Sequence, residues 1–133
     1  MSARYPHLLP EDVPVWERFL DAYGQRYTHF EYDVRTLPHF DPGPEWPDNY
    51  RKMAMSLSAR RIDAIGHFTT GIHIIEVTTS AGLTAVGQLT TYPVLYKMTY
   101  HPQINISPLL VAESLQTGIE EVLNAHFIAF VLV

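Results

Sequence analysis

The period of the hydrophobic and polar positions changes several times along this chain, and each change marks an element. In DVPVWERFLDAYG (12–24), Trp16, Phe19, Leu20 and Tyr23 recur at i, i+3, i+4 and i+7. That is the apolar stripe of an amphipathic helix, with Pro14 tolerated in the first turn and Gly24 at the stop. HFEYDVRTL (29–37) alternates instead, Phe30, Tyr32 and Val34 against His29, Glu31, Asp33 and Arg35, and period two predicts a strand. Residues 38–47 hold four prolines and read as a loop, after which DNYRKMAMSLS (48–58) forms a short helix capped at Asp48.

Two strand-like runs, 61–68 and 72–79, flank the tripeptide Thr69-Thr70-Gly71. A Thr69-Thr70 loop sets Asp63 across from Glu76, and a Thr70-Gly71 loop sets Asp63 across from Thr78. Both registers keep Asp63, Glu76 and Thr78 on one face with Ile65, Ile72 and Ile74, opposite Ile62, Ala64, Phe68, Ile75 and Val77. Apolar residues on both faces predict a sheet covered on both sides by helices.

From Ser80 onward, LTAVGQLTTYPVLYKMTYH (83–101) reads as a helix kinked at Pro93, with Gln88 and Tyr92 on one face at i and i+4. INISPLLVAES (104–114) reads as a strand whose Pro108 suits an edge or a bulge. Ser114 then caps a helix over LQTGIEEVLNAH, with Leu115, Ile119, Val122 and Leu123 on its buried side, and FIAFVLV (127–133) reads as a short buried strand. The order is helix, strand, loop with short helix, hairpin, helix, strand, helix, strand, which makes the fold class α/β.

Composition narrows this picture. At 133 residues the chain suits one domain, 1–133, with a single core. Apolar residues at 47% and charged residues at 17% indicate an ordered globular chain. The first residues lack the basic and apolar segments of a secretion signal, and no apolar run approaches the ~20 residues of a membrane helix, so the expected setting is the cytoplasm, or a particle assembled there. Cysteine is absent, which excludes disulfides and thiolate metal sites. A formal net charge of -5 supplies no global field to draw the chain onto nucleic acid. DNA contact would fall to local groups, namely Arg60, Arg61 and Lys97, and also the pair Arg51-Lys52.

The chemistry concentrates in RRIDAIGHFTTGIHIIEVT (60–78), where an aspartate and a glutamate interrupt apolar strands. Two facing carboxylates repel unless something offsets their charge. A hard dication such as Mg2+ or Mn2+, held by Asp63, Glu76 and the Val77 carbonyl, would offset it and could polarise a phosphate and activate a water. The remaining polar residues show no second constellation along the chain. His67 and His73 fall on opposite faces and read as satisfied core or surface histidines, while His29, His39, His101 and His126 have no ligand spacing. No nucleophile elbow or phosphate-cradling glycine loop occurs.

With RIDAIG followed by IIEVT, the chain resembles the PD-(D/E)XK nuclease superfamily, and GQLTTYPVLY is similar to the Q-x-x-x-Y element of its RecB-like members. The resemblance covers residues 60–100 by motif and the rest by element order. It implies a restriction-endonuclease-like core, a mixed sheet with a central hairpin flanked by helices on both faces. It also implies a DNA nuclease in which Asp63 and Glu76 hold Mg2+ or Mn2+ and Gln88 and Tyr92 approach the scissile region. The chain departs from the pattern where the family carries a lysine two residues after the glutamate, because here that residue is Thr78. A hydroxyl can position water but brings no positive charge. Lys97, Arg60 and Arg61 are the substitutes at hand. Two outcomes follow: a divalent-metal-dependent hydrolase with an atypical site, or an inactive nuclease-fold subunit. The second would bind a protein partner or further copies of itself, for example in a phage or viral assembly. An unrelated α/β domain with incidental carboxylates is the third reading.

Overall fold

The computed structural model describes residues 5, 7–36, 41–58 and 60–133, with the side chains of 55–60 outside the description. Leu37, Pro38, His39 and Phe40 therefore also lie outside the described residues. Along the chain come helix α1 (Val13–Tyr23), a 3-10 turn (Gly24–Arg26), strand β1 (His29–Thr36) and helix α2 (Asp48–Ser58). The hairpin β2 (Arg60–Phe68) and β3 (Gly71–Ala81) follows, then α3 (Leu83–Tyr100), β4 (Asn105–Leu115), α4 (Ile119–Ala125) and β5 (Ala129–Leu132). The element order is the one the periodicities predict.

The five strands form one sheet in chain order. β1, β2 and β3 are antiparallel neighbours, β2 and β3 through the short Thr69-Thr70 turn and β1 and β2 through the longer segment that carries α2, whereas β4 and β5 join in parallel through the α3 and α4 crossovers. One face is closed by α1: Val13, Val15, Trp16 and Phe19 pack on Ala64, Ile75, Val77, Leu109 and Val111. Trp16, completely buried, touches Phe19, Phe30 and Tyr32 at ring-centroid distances of 5.2, 5.2 and 5.9 Å, and its indole N–H donates to the Tyr32 hydroxyl at 3.3 Å. The other face is closed by α3, whose Ala85 and Leu89 meet Leu110, Ala112 and the α4 residues Ile119 and Leu123. Further along, Tyr92, Leu95 and Tyr96 meet Ile62, Ile65, Ile72 and Ile74. A sheet covered on both sides explains why the hairpin strands carry apolar residues on both faces.

Four details depart from the sequence expectation. Ile62 packs with Ile65 on the α3 side rather than with Ala64, so the pleat is interrupted beside Asp63. Asp33, which follows Tyr32 in β1 and precedes the Val34–Ile62 pair, has a φ of 54°, and this left-handed residue marks the same interruption in the neighbouring strand. β4 is internal, although its Pro108 stands where β5 has not yet begun to pair, so the proline sits at a local edge. Ser114 remains in β4 and its hydroxyl donates to the Thr79 carbonyl, while α4 starts only at Ile119, after Gly118 with φ 84°. The final strand is a half-covered edge, with Ala129 and Leu132 exposed. An apolar run of this length cannot tell an edge strand from a central one.

Candidate functional site

The β2–β3 ladder runs from Phe68–Gly71 to Ala64–Ile75, the register of a two-residue Thr69-Thr70 turn. The next position outward belongs to Asp63 and Glu76, and there side chains take over the bonding. The Asp63 amide reaches Glu76 Oε1 at 3.5 Å, and the Val77 amide donates to Asp63 Oδ2 at 3.1 Å. Each carboxylate is thus held by the backbone of the opposite strand. Glu76 is only 4% exposed. Burial first, and then the charge of Asp63, push the Glu76 carboxyl well above the usual carboxylate range. Burial raises Asp63 too, opposed by hydrogen bonds from the Glu76 carboxyl and the Val77 amide. Burial and mutual repulsion thus push both carboxyls upward, and the pair titrates as one unit.

A third carboxylate joins them that the periodicity did not single out. Asp12, at the start of α1, looks in sequence like a helix cap, yet its side chain makes no cap bond and is buried. It accepts instead from the Thr79 backbone on β3, and its carboxyl is pushed up to about 6 by burial, by the charge of Asp63 and by Glu11. The imidazole of His7 sits close enough to lower the Asp63 pKa, and its Nε2 is a buried nitrogen without a hydrogen-bond partner. Asp33 faces Asp63 from β1 and is ion-paired with Arg61 at 3.7 Å. The only sequence signal for Asp12 was its residue type, since a capping aspartate and one turned toward the sheet look alike until the cap bond is seen to be missing.

The other residues singled out in the sequence divide between two places. Thr78 and Gln88 line a cavity of about 310 Å³ with Ser80, Gly82, Thr84 and Gln116, and none of Asp63, Glu76 and Tyr92 lines it. Tyr92, although one turn from Gln88, is 8% exposed and packed among Ile62, Ile65, Ile72 and Ile74. The shared helix face of Gln88 and Tyr92 thus splits between a polar cavity and the core. Lys97 is exposed in the last turn of α3, Arg61 is turned to Asp33, and the Arg60 side chain lies outside the described residues.

As donors, Asp63 and Glu76 offer paired hard carboxylate oxygens with Asp12 adding negative charge beside them, and the raised pKa values of all three record burial and repulsion. A hard dication suits that set. A second group contradicts the expectation that the histidines have no ligand arrangement. His29, Glu31 and His67 bring one ligand atom each within 4.8 Å of one another. Spacing along the chain missed them because they meet across two strands. His73 is separate, on the opposite face, with Nδ1 2.7 Å from the Tyr27 hydroxyl.

Among known proteins, no family model matches the chain, and no curated protein matches it by sequence. A solved structure does: the crystal structure of a repair endonuclease from Pyrococcus abyssi, 18% identical, superposes with a TM-score of 0.54 over 96% of this chain. The fold is a restriction-endonuclease-like core. The chain spans about half the length of that endonuclease, since the match covers 49% of it. Within this core, the paired β2–β3 carboxylates sit where two central strands part, with Asp12 brought to them by α1. No helix among the described residues is long and apolar enough to cross a membrane.

Proposed function

We propose that the protein is a PD-(D/E)XK-type nuclease that hydrolyses DNA phosphodiesters with Mg2+ or Mn2+ at an atypical site. The observation that carries the reading is the Asp63–Glu76 pair at the end of the β2–β3 ladder, cross-bonded by the Asp63 amide to Glu76 Oε1 and the Val77 amide to Asp63 Oδ2, in a nuclease-like fold. Asp63 and Glu76 would hold the ion, with the Val77 carbonyl as a further ligand and the Asp12 carboxyl as added negative charge beside them. When bound, the ion supplies Lewis-acid polarisation of the phosphate and a bound water of lowered pKa. The chain's own residues set the geometry. The Val77 amide fixes the Asp63 carboxylate, the Thr79 amide fixes Asp12, and burial of Glu76 keeps water from competing for its oxygens. Thr78, two residues after Glu76, would orient the attacking water through its hydroxyl, with Gln88 across the shared cavity and Arg61 near the Asp33 side as the nearby cation. Tyr92 would support this helix from within the core cluster.

The test is nicking of supercoiled plasmid in Mg2+ and in Mn2+. Cleavage that disappears in Asp63→Ala and Glu76→Ala supports the reading, and purified wild-type protein that leaves DNA intact with either ion ends it.

A second reading has a specific observation of its own. Two residues after Glu76, where the family carries a lysine, the chain has Thr78, and Arg61 is ion-paired with Asp33 rather than turned to a phosphate. On this reading the fold persists as a binding or assembly subunit, of a phage or viral particle for example, and DNA is not its ligand. Native mass measurement then finds an oligomer or a captured protein partner, together with no cleavage. A monomer without a partner counts against it.

A further inference from the structure

The strongest unassigned feature lies at the far end of β2 from the carboxylates. β1 and β2 pair His29 directly with His67 and Glu31 with Ile65, so His29, Glu31 and His67 share one face of an antiparallel pair. Directly opposed residues in such a pair hold their Cβ atoms about 5 Å apart, and this brings two imidazoles and a carboxylate together without a loop. The rings of His29 and His67 lie 4.1 Å apart and 10° from parallel, and His67 Nε2 meets Glu31 Oε1 at 2.5 Å.

Thr28 decides which nitrogen of His29 is presented. Its hydroxyl donates to the His67 carbonyl at 3.1 Å, and its amide donates to the same oxygen at 2.7 Å. A hydroxyl has one hydrogen, so at its 3.1 Å contact with His29 Nδ1 the Thr28 oxygen accepts. His29 then carries its proton on Nδ1, and Nε2 keeps a lone pair. A hydrogen bond that settles the tautomer of one ring nitrogen and leaves the other to bind is the usual support of a metal-ligating histidine.

We propose that His29, Glu31 and His67 form a binding site for a borderline transition-metal dication of the zinc class, bridging β1 and β2. His29 Nε2, His67 Nε2 and Glu31 Oε1 are the ligands, and solvent supplies the remaining position, because His29 and Glu31 are exposed. Two nitrogens and one oxygen suit zinc, cobalt or nickel, whereas magnesium prefers oxygen alone. Bonds of about 2.0–2.1 Å place tetrahedral ligand atoms about 3.3 Å apart. The 4.8 Å spread closes to that by rotamer adjustment, and the proton that His67 Nε2 shares with Glu31 Oε1 is released to solvent as the ion takes its place. His67 is four residues from Asp63, about 13 Å along a strand, so the site is independent of the carboxylates. Its effect is to tie the outer strand β1 to the sheet.

The experiment titrates ZnCl2 into chelator-stripped, tag-free protein by calorimetry, with long-range 1H–15N spectra of the imidazoles in the wild type. One ion is expected at this site, in Asp63→Asn/Glu76→Gln as in the wild type, with the Nε2 signals of His29 and His67 shifting on binding. Affinity should fall about tenfold or more in His29→Ala/His67→Ala and hold in Asp63→Asn/Glu76→Gln. The two histidines are on the sheet surface, and melting without zinc checks that the variant is folded. Should it unfold, His29→Gln/His67→Gln and the wild-type ring spectra carry the test. Absence of zinc binding, unmoved ring signals, or loss of binding in Asp63→Asn/Glu76→Gln instead would each overturn the proposal.

Discussion

The Val77 amide donates to Asp63 Oδ2 at 3.1 Å, so the aspartate stands in for a strand's backbone at the point where β2 and β3 part. This gives Asp63 two separable duties. Asp63→Asn removes the charge and keeps an acceptor for the amide, while Asp63→Ala removes both. Denaturant unfolding should find Asp63→Ala less stable than Asp63→Asn by about 1–2 kcal/mol, the cost of an unpartnered buried N–H. Both should lose cleavage by about 100-fold or more, because a lost metal ligand forfeits several kcal/mol of charge stabilisation and each 1.36 kcal/mol is tenfold. Equal stability of the two variants would show that the amide finds another partner.

Asp12 makes metal-free stability depend on pH in an unusual direction. Its folded pKa of about 6 lies above the ordinary aspartate value near 3.9, so between these values the folded chain binds more protons than the unfolded chain. Stability then falls as pH rises through that window, and the raised Glu76 extends the fall upward. Calorimetric melting of EDTA-treated protein from pH 4 to 7 should show Asp12→Asn matching wild type near pH 4 and melting higher at pH 7. Magnesium should flatten the wild-type slope. A variant that melts lower than wild type at pH 7 contradicts this.

Gln88 and Tyr92 should behave as unlike residues. Tyr92→Ala empties part of the cluster around Ile62 and Ile74 and should cost about 3–5 kcal/mol by chemical denaturation. Gln88→Ala, at a polar cavity wall, should change stability by no more than about 0.5 kcal/mol and act on cleavage instead. Matching melting curves for the two variants would return both to one role.

Thr78 is where a single charge can be returned. Thr78→Lys directs an ammonium toward the cavity shared with Gln88, and plasmid nicking at saturating metal should rise about tenfold or more, equivalent to 1.4 kcal/mol of added transition-state stabilisation. Unchanged or lower nicking would place the missing cation elsewhere.

Sequence pattern made the fold legible because periods of two and of 3.6 persist through the long elements. The facing of Asp63 and Glu76 was readable for the same reason, given a two-residue turn. Asp12, His7 and the His29–Glu31–His67 group were not, since each depends on packing or strand pairing between segments far apart in the chain. The pairing of Gln88 with Tyr92 misled because i and i+4 fix a helix face but not what covers each half of it. Ser114 resembled a helix cap, but the β4 ladder with β3 extends through Leu115 and kept it in the strand.

The hairpin that carries the carboxylates is clamped from outside as well as by its turn: β2 is laddered to β1 from Thr36–Arg60 to His29–His67, and β3 to β4 from Gly71–Asn105 to Ala81–Leu115. Thr69 and Thr70 at the tip are exposed. A flexible peptide spliced between them therefore meets a register already locked on both flanks, and closing even a long insert adds only about 0.6 kcal/mol per doubling of its length. The tip is a port at which a recognition module or a reporter can be grafted without disturbing the acidic cluster at the opposite end of the same two strands.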